Sequence, residues 1–289
     1  MRHPERTPWL FLAPHLSLFT VFILLPVVAV FTLSLFDWNL LGDHKFIGLA
    51  NYAEILDDRQ FWHSFKNTLV YASAVVPATM ALGLGLALAL NRPIPGRGLY
   101  RAALYLPFVI SSVASGVIAV WIFDEHYGLL NALLAEFGLP RVPWLSSPTY
   151  AMPSVIATTI WLRAGLCMVV YLAALQDVPG ELTEAAQLDG ANNWKQFWFI
   201  TWPLLRPSTT FLLITNLIYS LHVFDLIYVM TFGGPALSTT TLVQYLYENA
   251  FQEQRQGYAC AISVVLFFIL IALTSMLLVR RSPQRAKAA

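Results

Sequence analysis

The feature that most constrains this chain is a succession of six long apolar stretches. A membrane-spanning helix needs about 20 mostly apolar residues, because the hydrocarbon core of a bilayer is about 30 Å thick. Charged residues cluster in short segments between the stretches. We therefore predict an all-α integral membrane protein with six transmembrane helices, at residues 9–36, 67–90, 100–123, 152–176, 206–231 and 258–279.

The composition agrees with a membrane protein and excludes several other classes. Hydrophobic residues make up 57% of the 289-residue chain and charged residues only 11%, whereas about a quarter of a soluble domain is charged. The net charge of +1 provides no basic face for nucleic acid. Cys167 and Cys260 both lie in apolar stretches and form no CxxC pair, so we expect them to pack as small apolar residues. We predict a single domain over residues 1–289.

The first apolar stretch is too long for the apolar core of a signal peptide. No small-residue cleavage site follows it before Phe36-Asp37-Trp38. We interpret it as a retained helix that Pro14 and Pro26 bend.

The distribution of lysine and arginine predicts the orientation. Positively charged residues are enriched on the cytoplasmic side of membrane proteins. With six spans both termini lie on one side, and that side holds eleven of the seventeen basic residues. We therefore predict a multi-pass protein of the cytoplasmic (inner) membrane with both termini in the cytoplasm. The eleven residues are Arg2, Arg6, Arg92, Arg97, Arg101, Lys195, Arg206, Arg280, Arg281, Arg285 and Lys287.

The chain contains none of the motifs that would make it an enzyme by itself. It has no GxxxxGK[ST] loop for nucleotide phosphates, no HExxH, no GxSxG and no CxxC. Its six histidines include no pair at i, i+4 spacing, so we expect no metal site. If the protein uses energy, something else must supply it.

The long cytoplasmic connection after the fourth stretch predicts a helix, a turn and a second helix. Pro179 and Glu181 suit the first turn of a helix, and Gly190 suits the left-handed residue that ends it. Asn192 or Asn193 can cap the second helix, residues 194–200, whose aromatic side chains are typical of a lipid interface. We expect Pro203 and Pro207 to mark the bend into the fifth stretch.

From the residues alone, this connection is either an interfacial elbow between two spans or a surface to which another protein docks. The small side chains of its first helix allow a close approach to the backbone. The segment 179–203 resembles the EAA loop of ABC-importer permeases, although Trp202 stands where that family usually has Leu before the proline. The residues that carry this resemblance, or that belong to the same loop, are Glu184, Ala185, Ala186, Asp189, Gly190, Ile200 and Pro203.

Further segments resemble the carbohydrate branch of the same family, the maltose and glycerol-phosphate type. Together with the EAA loop they cover nearly the whole chain. They are Phe46–Tyr52, Asn67–Leu69, Phe224–Pro235, Thr239–Leu242 and Tyr245.

The resemblance implies a type I importer permease of the MetI-like fold, in which the first helix of the EAA loop is a coupling helix. It implies a second, similar permease, two cytoplasmic ATPase subunits that bind ATP and Mg, and an extracytoplasmic solute-binding protein. This chain would hold no cofactor. The implied function is alternating-access import of a sugar or sugar-like solute, such as maltose, trehalose, another glycoside or glycerol 3-phosphate.

Polar residues deep in the predicted spans are candidates for the solute pathway, because ionisable groups are costly inside a bilayer. One interpretation is that Arg163 and Asp225 neutralise each other in the bundle; the other is that these groups line the pathway. We expect His222 and Asp225 to share a helix face, and we expect His222 to be a hydrogen-bonded packing residue rather than a proton relay. The candidates are Arg163, Asn216, Tyr219, His222, Phe224, Asp225 and Tyr228.

Three other expectations follow from local patterns. The corner Gly233-Gly234-Pro235 either contacts the binding protein or simply turns the chain at the membrane exit. The small-residue run 83–87 indicates close helix packing. An ion-coupled secondary transporter is the alternative function, with Asp225 as its only candidate coupling carboxylate, but it leaves the 179–203 segment unexplained.

Overall fold

The computed structural model describes residues 7–39, 42 and 44–279. The terminal basic residues that support the predicted orientation, namely Arg2, Arg6, Arg280, Arg281, Arg285 and Lys287, lie outside the described residues. The described part divides into two compact units. One comprises the residues up to Phe61 together with Tyr245–Ala272, and the other comprises Trp62–Gln244 together with the residues from Leu273 onward.

The first unit begins with an apolar helical segment that contains a π-helical turn. The segment consists of α1 (Thr7–Phe19), the π-turn Thr20–Leu24 and α2 (Leu25–Leu33). The N–H of Leu25 bonds to the carbonyl of Thr20, five residues earlier. Pro26 follows at once and has no N–H to donate, so the irregularity lies where a proline disturbs the regular hydrogen-bond ladder.

A small hairpin and a short helix follow the first helical segment. Strand β1 (Phe36–Asp37) pairs antiparallel with β2 (Lys45–Phe46), and α3 (Ala50–Asp57) comes next. The side-chain amide of Asn51 donates to the carbonyls of Ser34 and Phe36, at 2.8 and 3.0 Å. The carbonyls at the end of α2 are therefore satisfied inside the protein, as burial requires. The same unit contains most of the last helix, α14 (Gln256–Val279).

The second unit holds the remaining helices. Within it, α5 and α11 pack on α8, and α12 packs on α6. In chain order its elements are α4 (Arg59–Leu90, beginning in the first unit), α5 (Arg97–Val109), α6 (Ser112–Ile122), α7 (Leu129–Glu136), α8 (Pro148–Gln176), α9 (Gly180–Leu188), α10 (Asn193–Gln196), the π-turn Phe197–Thr201, α11 (Trp202–Leu221), α12 (Asp225–Met230) and α13 (Leu242–Tyr247), which with the π-turn Glu248–Gln252 leads into the first unit.

Four of the predicted spans form helices that are long and apolar enough to cross a bilayer. They are Phe11–Leu33, Arg59–Leu90, Pro148–Gln176 and Gln256–Leu278. The second therefore begins earlier than its predicted start at residue 67. The number of spans beyond these four depends on the other two stretches, neither of which is one straight helix.

The predicted span 100–123 is broken near its middle. Helices α5 and α6 meet at a bend of 99°. Ile110 and Ser111 between them adopt ψ angles of 142° and 135°, outside the helical region. The expectation of one continuous helix is wrong here. Pro107, which lacks an N–H, lies just before the break and weakens the helix at that point.

The predicted span 206–231 is also interrupted. Helix α11 ends at Leu221, and Phe224 has φ −140° and ψ −58°, which is not helical. The Oγ1 atom of Thr241 donates to the carbonyl of Val223, at 3.2 Å, and so satisfies a backbone group that the break releases. His222 and Asp225 therefore do not share a face of one helix, and that expectation is wrong.

Glycines allow two close helix contacts in the second unit. A side chain at Gly83 on α4 would collide with Cys167 on α8, and one at Gly165 would collide with the Leu104 carbonyl on α5. The prediction of close packing at 83–87 is thus confirmed at Gly83. Gly85 differs, because no atom lies within 4 Å of the position its Cβ would take.

Candidate functional site

Arg163 lies in the middle of α8 and retains only 9% exposure. Its Nε donates to Oδ1 of Asn216 on α11, at 3.0 Å. Its guanidinium carbon lies 3.9 Å from the ring centroid of Tyr219 and 5.8 Å from that of Phe108. The cation is therefore held between a neutral amide and two aromatic rings, and cation–π attraction stabilises it there.

Asn216 is oriented by its own hydrogen bonds. Its Nδ2 donates to the Leu212 carbonyl at 2.8 Å and to the Sγ of Cys167 at 3.3 Å. Both donors of the amide group are thus engaged on one side, and Oδ1 is presented to Arg163. Arg163, Asn216 and Tyr219 were candidates from the sequence. Phe108 was not, because no local pattern relates it to Arg163.

Asp225 lies at the first position of α12 and is exposed. Its Oδ2 accepts a hydrogen bond from the Ser112 hydroxyl on α6, at 3.0 Å. In the described residues no ion pair joins Asp225 to Arg163, so the predicted mutual neutralisation is wrong. The cause is the break before Phe224, which places Asp225 on a separate helix that packs on α6 instead of continuing the face of α11 beside α8.

An aromatic row follows Asp225 along the chain. The ring centroids of Phe224 and Tyr228 are 5.2 Å apart, and those of Tyr228 and Phe232 are 4.6 Å apart. We call these three residues the aromatic row. Phe232 is 53% exposed, so one end of the row is open. Such faces suit the C–H side of a sugar ring, and two members of the row, Phe224 and Tyr228, are among the pathway candidates from the sequence.

His222 is exposed and lies beside the main-chain carbonyl of Ile218, with Nδ1 and O 3.0 Å apart. This contact closes the last turn of its own helix. The hydrogen bond agrees with the expectation, but the exposed side chain does not pack inside the described chain as expected.

The corner at Gly233-Gly234-Pro235 is held by threonines that follow it. The hydroxyls of Thr239 and Thr240 donate to the carbonyls of Gly234 and Gly233, each at 2.9 Å. Gly233 has φ +84°, a region that favours glycine. The corner is thus a defined structure whose backbone acceptors are satisfied internally.

Helix α4 also holds this corner. The Asn67 amide donates to the carbonyls of Leu237 and Thr240, at 2.9 and 3.0 Å, and the Thr68 hydroxyl accepts from the N–H of Leu242. In the sequence, Asn67–Leu69 and Thr239–Leu242 were identified only through the family resemblance. That the two segments meet was not predicted.

The first part of the predicted EAA loop forms helix α9, with Glu181 in its first turn. Glu184, Ala185 and Asp189 are exposed, and Ala186 is half-buried. Gly190 has φ +77°, and the N–H of Ala191 bonds to the Ala186 carbonyl at 2.8 Å. This is a glycine-ended helix terminus, as predicted.

The second part begins where predicted but continues differently. The Asn192 side chain accepts from the N–H of Lys195, at 2.9 Å, and caps α10. The chain then remains helical through the π-turn, which includes half-buried Ile200, and through Pro203 into α11. The π-turn lies just before Pro203, as the π-turn Thr20–Leu24 lies before Pro26, because a proline has no N–H to donate to the regular hydrogen-bond ladder. Pro207 lies inside α11, so the irregularity is found next to Pro203 and not at both prolines as expected.

A carboxylate in the first unit accepts two tyrosine hydroxyls. Asp58 bonds through Oδ2 to Tyr245 and Tyr258, each at 2.5 Å. Partial burial acts to raise the pKa of Asp58, but the bonds from the two tyrosine hydroxyls and from the backbone N–H groups of Phe61 and Gln60 together outweigh it and hold the pKa below its usual value of 3.8. Burial and then Asp58 itself raise the pKa of Tyr245 to about 12. Near neutral pH this cluster therefore holds an ionised carboxylate and protonated hydroxyls.

No group of three or more potential metal ligands from His, Cys, Asp and Glu occurs among the residues that the structure describes.

The comparisons with known proteins agree with one another. A family model described as "Binding-protein-dependent transport system inner membrane component" matches residues 81–288. The sulfoquinovosyl glycerol transport system permease protein of Agrobacterium fabrum is 36% identical, with 93% of this chain and 88% of that protein covered. The trehalose/maltose transport system permease protein of Thermococcus litoralis is 35% identical, with 92% and 90% covered. A solved bacterial alginate ABC transporter, in complex with a periplasmic protein that binds an alginate pentasaccharide, contains a chain that is similar with a TM-score of 0.83 and 26% identity, with 93% and 91% covered.

Proposed function

The chain belongs to the family of binding-protein-dependent transport system inner membrane components, and we propose that it is one of two permease subunits of an ATP-driven importer for a sugar or sugar-like solute. The observation that carries this proposal is the family match over residues 81–288 together with relatives that are sugar-transport permeases along nearly the whole chain. The same findings favour ABC import over the ion-coupled alternative.

The protein is a multi-pass membrane protein, and we propose that other subunits of the transporter hydrolyse the ATP. Its relatives are transport permeases, not enzymes. We assign ATP and Mg to two partner ATPase subunits, and solute delivery to an extracytoplasmic binding protein like the one bound to the alginate transporter. The second permease completes the pathway. We assign six spans to this chain, counting the bent pair α5–α6 as one and α11–α12 as another, with both termini in the cytoplasm.

We propose that α9 is the coupling helix. Its acidic side chain Glu184 and small residue Ala185 are exposed, so another protein can approach its backbone closely. The left-handed Gly190 ends it sharply, and the next segment leads without a break into α11, which carries Asn216 and Tyr219. A movement of α9 with the ATPase would therefore be transmitted along one helical segment to the candidate pathway.

The proposed pathway residues supply complementary chemistry for a sugar. The exposed carboxylate of Asp225 accepts hydroxyl donors, and the aromatic row offers faces for the ring. Asn216 and Tyr219 position Arg163 at the other end. We assign the corner Gly233-Gly234-Pro235 to contact with the binding protein, because it is a preformed backbone feature beside the open end of the row. The names of relatives include trehalose, maltose, sulfoquinovosyl glycerol and sn-glycerol 3-phosphate as transported solutes, so we propose a maltose-type sugar or a polyol derivative such as glycerol 3-phosphate.

The test is solute uptake into right-side-out membrane vesicles that contain the complete transporter and are loaded with ATP. We expect uptake to require ATP and the binding protein, and to continue after an ionophore collapses the ion gradients. Loss of uptake on collapse of the gradients, with ATP still present, would contradict the proposal and restore the secondary transporter. Vesicles that lack this chain serve as the control for background uptake.

A further inference from the structure

Arg163 is a buried cation without an anionic partner. A guanidinium carries five N–H donors, and only its Nε–H is bonded, to the neutral amide of Asn216. Across the described residues, neither Nη group makes a hydrogen bond and no carboxylate forms an ion pair with Arg163. Because charge is costly inside a bilayer, buried charges are normally paired. A cation in this position therefore lacks the anion that would neutralise it.

A second polar group close by is also unsatisfied. Ser220 lies one turn beyond Asn216 on the same face of α11, is fully buried, and its hydroxyl has no hydrogen-bond partner in the described structure. The buried hydroxyls of Ser64, Thr79 and Ser115 on α4 and α6 share this condition, but on α11 the hydroxyls of Thr209 and Thr210 bond to the carbonyl four residues earlier. Ser220 does not, so its donor is left for another group.

The geometry points to a site for an acidic group, and we propose that the imported sugar or polyol is an anion whose carboxylate, sulfonate or phosphate binds between Arg163 and Ser220. A guanidinium binds such groups through two parallel N–H···O bonds. The ring of Tyr219 lies against the guanidinium at 3.9 Å and fixes its plane, and Asn216 holds its Nε, so the Nη edge is the one that remains for the solute.

The placement of Asp225 gives the bound solute a direction. This carboxylate repels an anion but accepts hydroxyl donors, and it is paired with Ser112, not with Arg163. The acidic end of the solute therefore binds at Arg163, and its hydroxyls face Asp225 and the aromatic row. This inference rests on the proposed import function and narrows its substrate class to acidic sugars and polyol phosphates or sulfonates.

The competing explanation is that a carboxylate of the partner permease neutralises Arg163 in the complex. The test therefore uses the whole transporter, in lipid nanodiscs without the binding protein, and measures the midpoint of thermal unfolding with paired probes. The pairs are glucuronate against glucose, sulfoquinovose against glucose, and glycerol 3-phosphate against glycerol. We expect at least one anion to raise the midpoint while its neutral partner does not.

Variants of Arg163 and Ser220 test whether the anion that raises the midpoint binds at the proposed site. Arg163→Gln should raise the half-saturating concentration of that anion at least tenfold, Ser220→Ala should raise it severalfold, and Arg163→Lys should retain part of the preference because it keeps the charge but not the two-pronged donor. Arg141→Gln removes one exposed arginine from the loop before α8 and is the matched control, with unchanged binding expected.

The inference is overturned if no anion shifts the midpoint, if each neutral partner shifts it equally, or if Arg163→Gln binds the anion as the parent does. Should Arg163→Gln fail to assemble, the comparison within each pair and the Arg163→Lys variant decide. Failure of the proposed function is recognised separately, because it would abolish ATP-dependent uptake whatever the charge of the solute.

Discussion

The side-chain amide of Asn67 donates to the main-chain carbonyl of Leu237, 2.9 Å away and 170 residues later in the chain. A second bond from the same amide reaches the Thr240 carbonyl. These bonds attach the loop that contains the Gly233-Gly234-Pro235 corner to the long helix α4. The corner is therefore held by a membrane-spanning element and not only by its own turn.

Replacing Asn67 by alanine should loosen this corner without unfolding the protein. The part-buried Thr240 carbonyl loses its donor, and leaving a buried group unsatisfied costs about 1–3 kcal/mol. The Leu237 carbonyl is exposed and also lies 3.2 Å from Nε2 of His63, so the loss of its bond to Asn67 costs less. We expect faster hydrogen–deuterium exchange in residues 237–242 and weaker stimulation of ATP hydrolysis by the binding protein. Ser73→Ala is the control, because Ser73 lies on the same helix and bonds only to its own turn at Val70. Unchanged exchange in Asn67→Ala would show that the loop holds itself.

Substitutions at Gly190 should separate backbone strain from blocked docking. Its φ of +77° costs an alanine roughly 1–2 kcal/mol, whereas asparagine tolerates it better. No atom lies within 4 Å of the position a Cβ would take, so a large side chain meets no obstacle within the described chain. We expect Gly190→Ala and Gly190→Leu to destabilise α9 similarly, but only Gly190→Leu to abolish uptake by preventing ATPase docking. Gly190→Asn should stay closest to the parent. Normal uptake by Gly190→Leu would place the docking surface elsewhere.

Glu184→Lys should leave the fold intact and abolish uptake. The side chain is exposed, so reversing its charge costs the isolated chain little. In the proposed complex the reversed charge would no longer match the ATPase surface to which α9 docks. Co-purification of the ATPase with the membrane complex measures the effect. Glu181→Lys, on the same helix and also exposed, controls for charge alone, and equal loss in both variants would argue against a specific role for Glu184.

Asp225→Asn should impair solute transport more than coupling to ATP. The variant keeps its shape and can still bond to Ser112, but it loses the negative charge that accepts solute hydroxyls strongly. We expect a several-fold fall in uptake with ATPase assembly unchanged. Asp57→Asn is the matched control, because it neutralises an exposed carboxylate at the end of α3, outside the candidate pathway. An Asp225→Asn transporter with the parent's uptake rate and affinity would remove this residue from the pathway.

The tyrosine cluster around Asp58 should make stability depend on pH at both extremes. The lowered pKa of Asp58 means that its contribution is present above 3.8 and is lost as the pH falls through the lower folded value. The raised pKa of Tyr245 means that its contribution is present below its usual value of 10.0 and is lost as the pH rises through about 12. The midpoint of thermal unfolding across pH measures both. Asp58→Asn should flatten the acid limb, and an unchanged acid limb would contradict the assignment.

Local patterns predicted much of this protein, because the controlling interactions are close in sequence. A run of about 20 apolar residues must become a buried or lipid-facing helix wherever it lies, so four spans were predicted correctly. Gly190 ends a helix and Asn192 begins one through bonds to residues within five positions. The absence of catalytic motifs and the spacing from Glu184 to Pro203 could likewise be recognised from the sequence alone.

Only the tertiary structure decided which polar groups meet. Helical periodicity carries a side-chain position forward only while the helix continues, and α11 ends at Leu221. Thr241, 18 residues beyond Val223, satisfies the Val223 carbonyl at the break. That break moved Asp225 to Ser112 and left Arg163 with Asn216 and Tyr219. A hydrogen bond between distant segments produces no periodic pattern in the sequence of either segment. For that reason the surroundings of the Arg163 charge could be determined only from the tertiary structure.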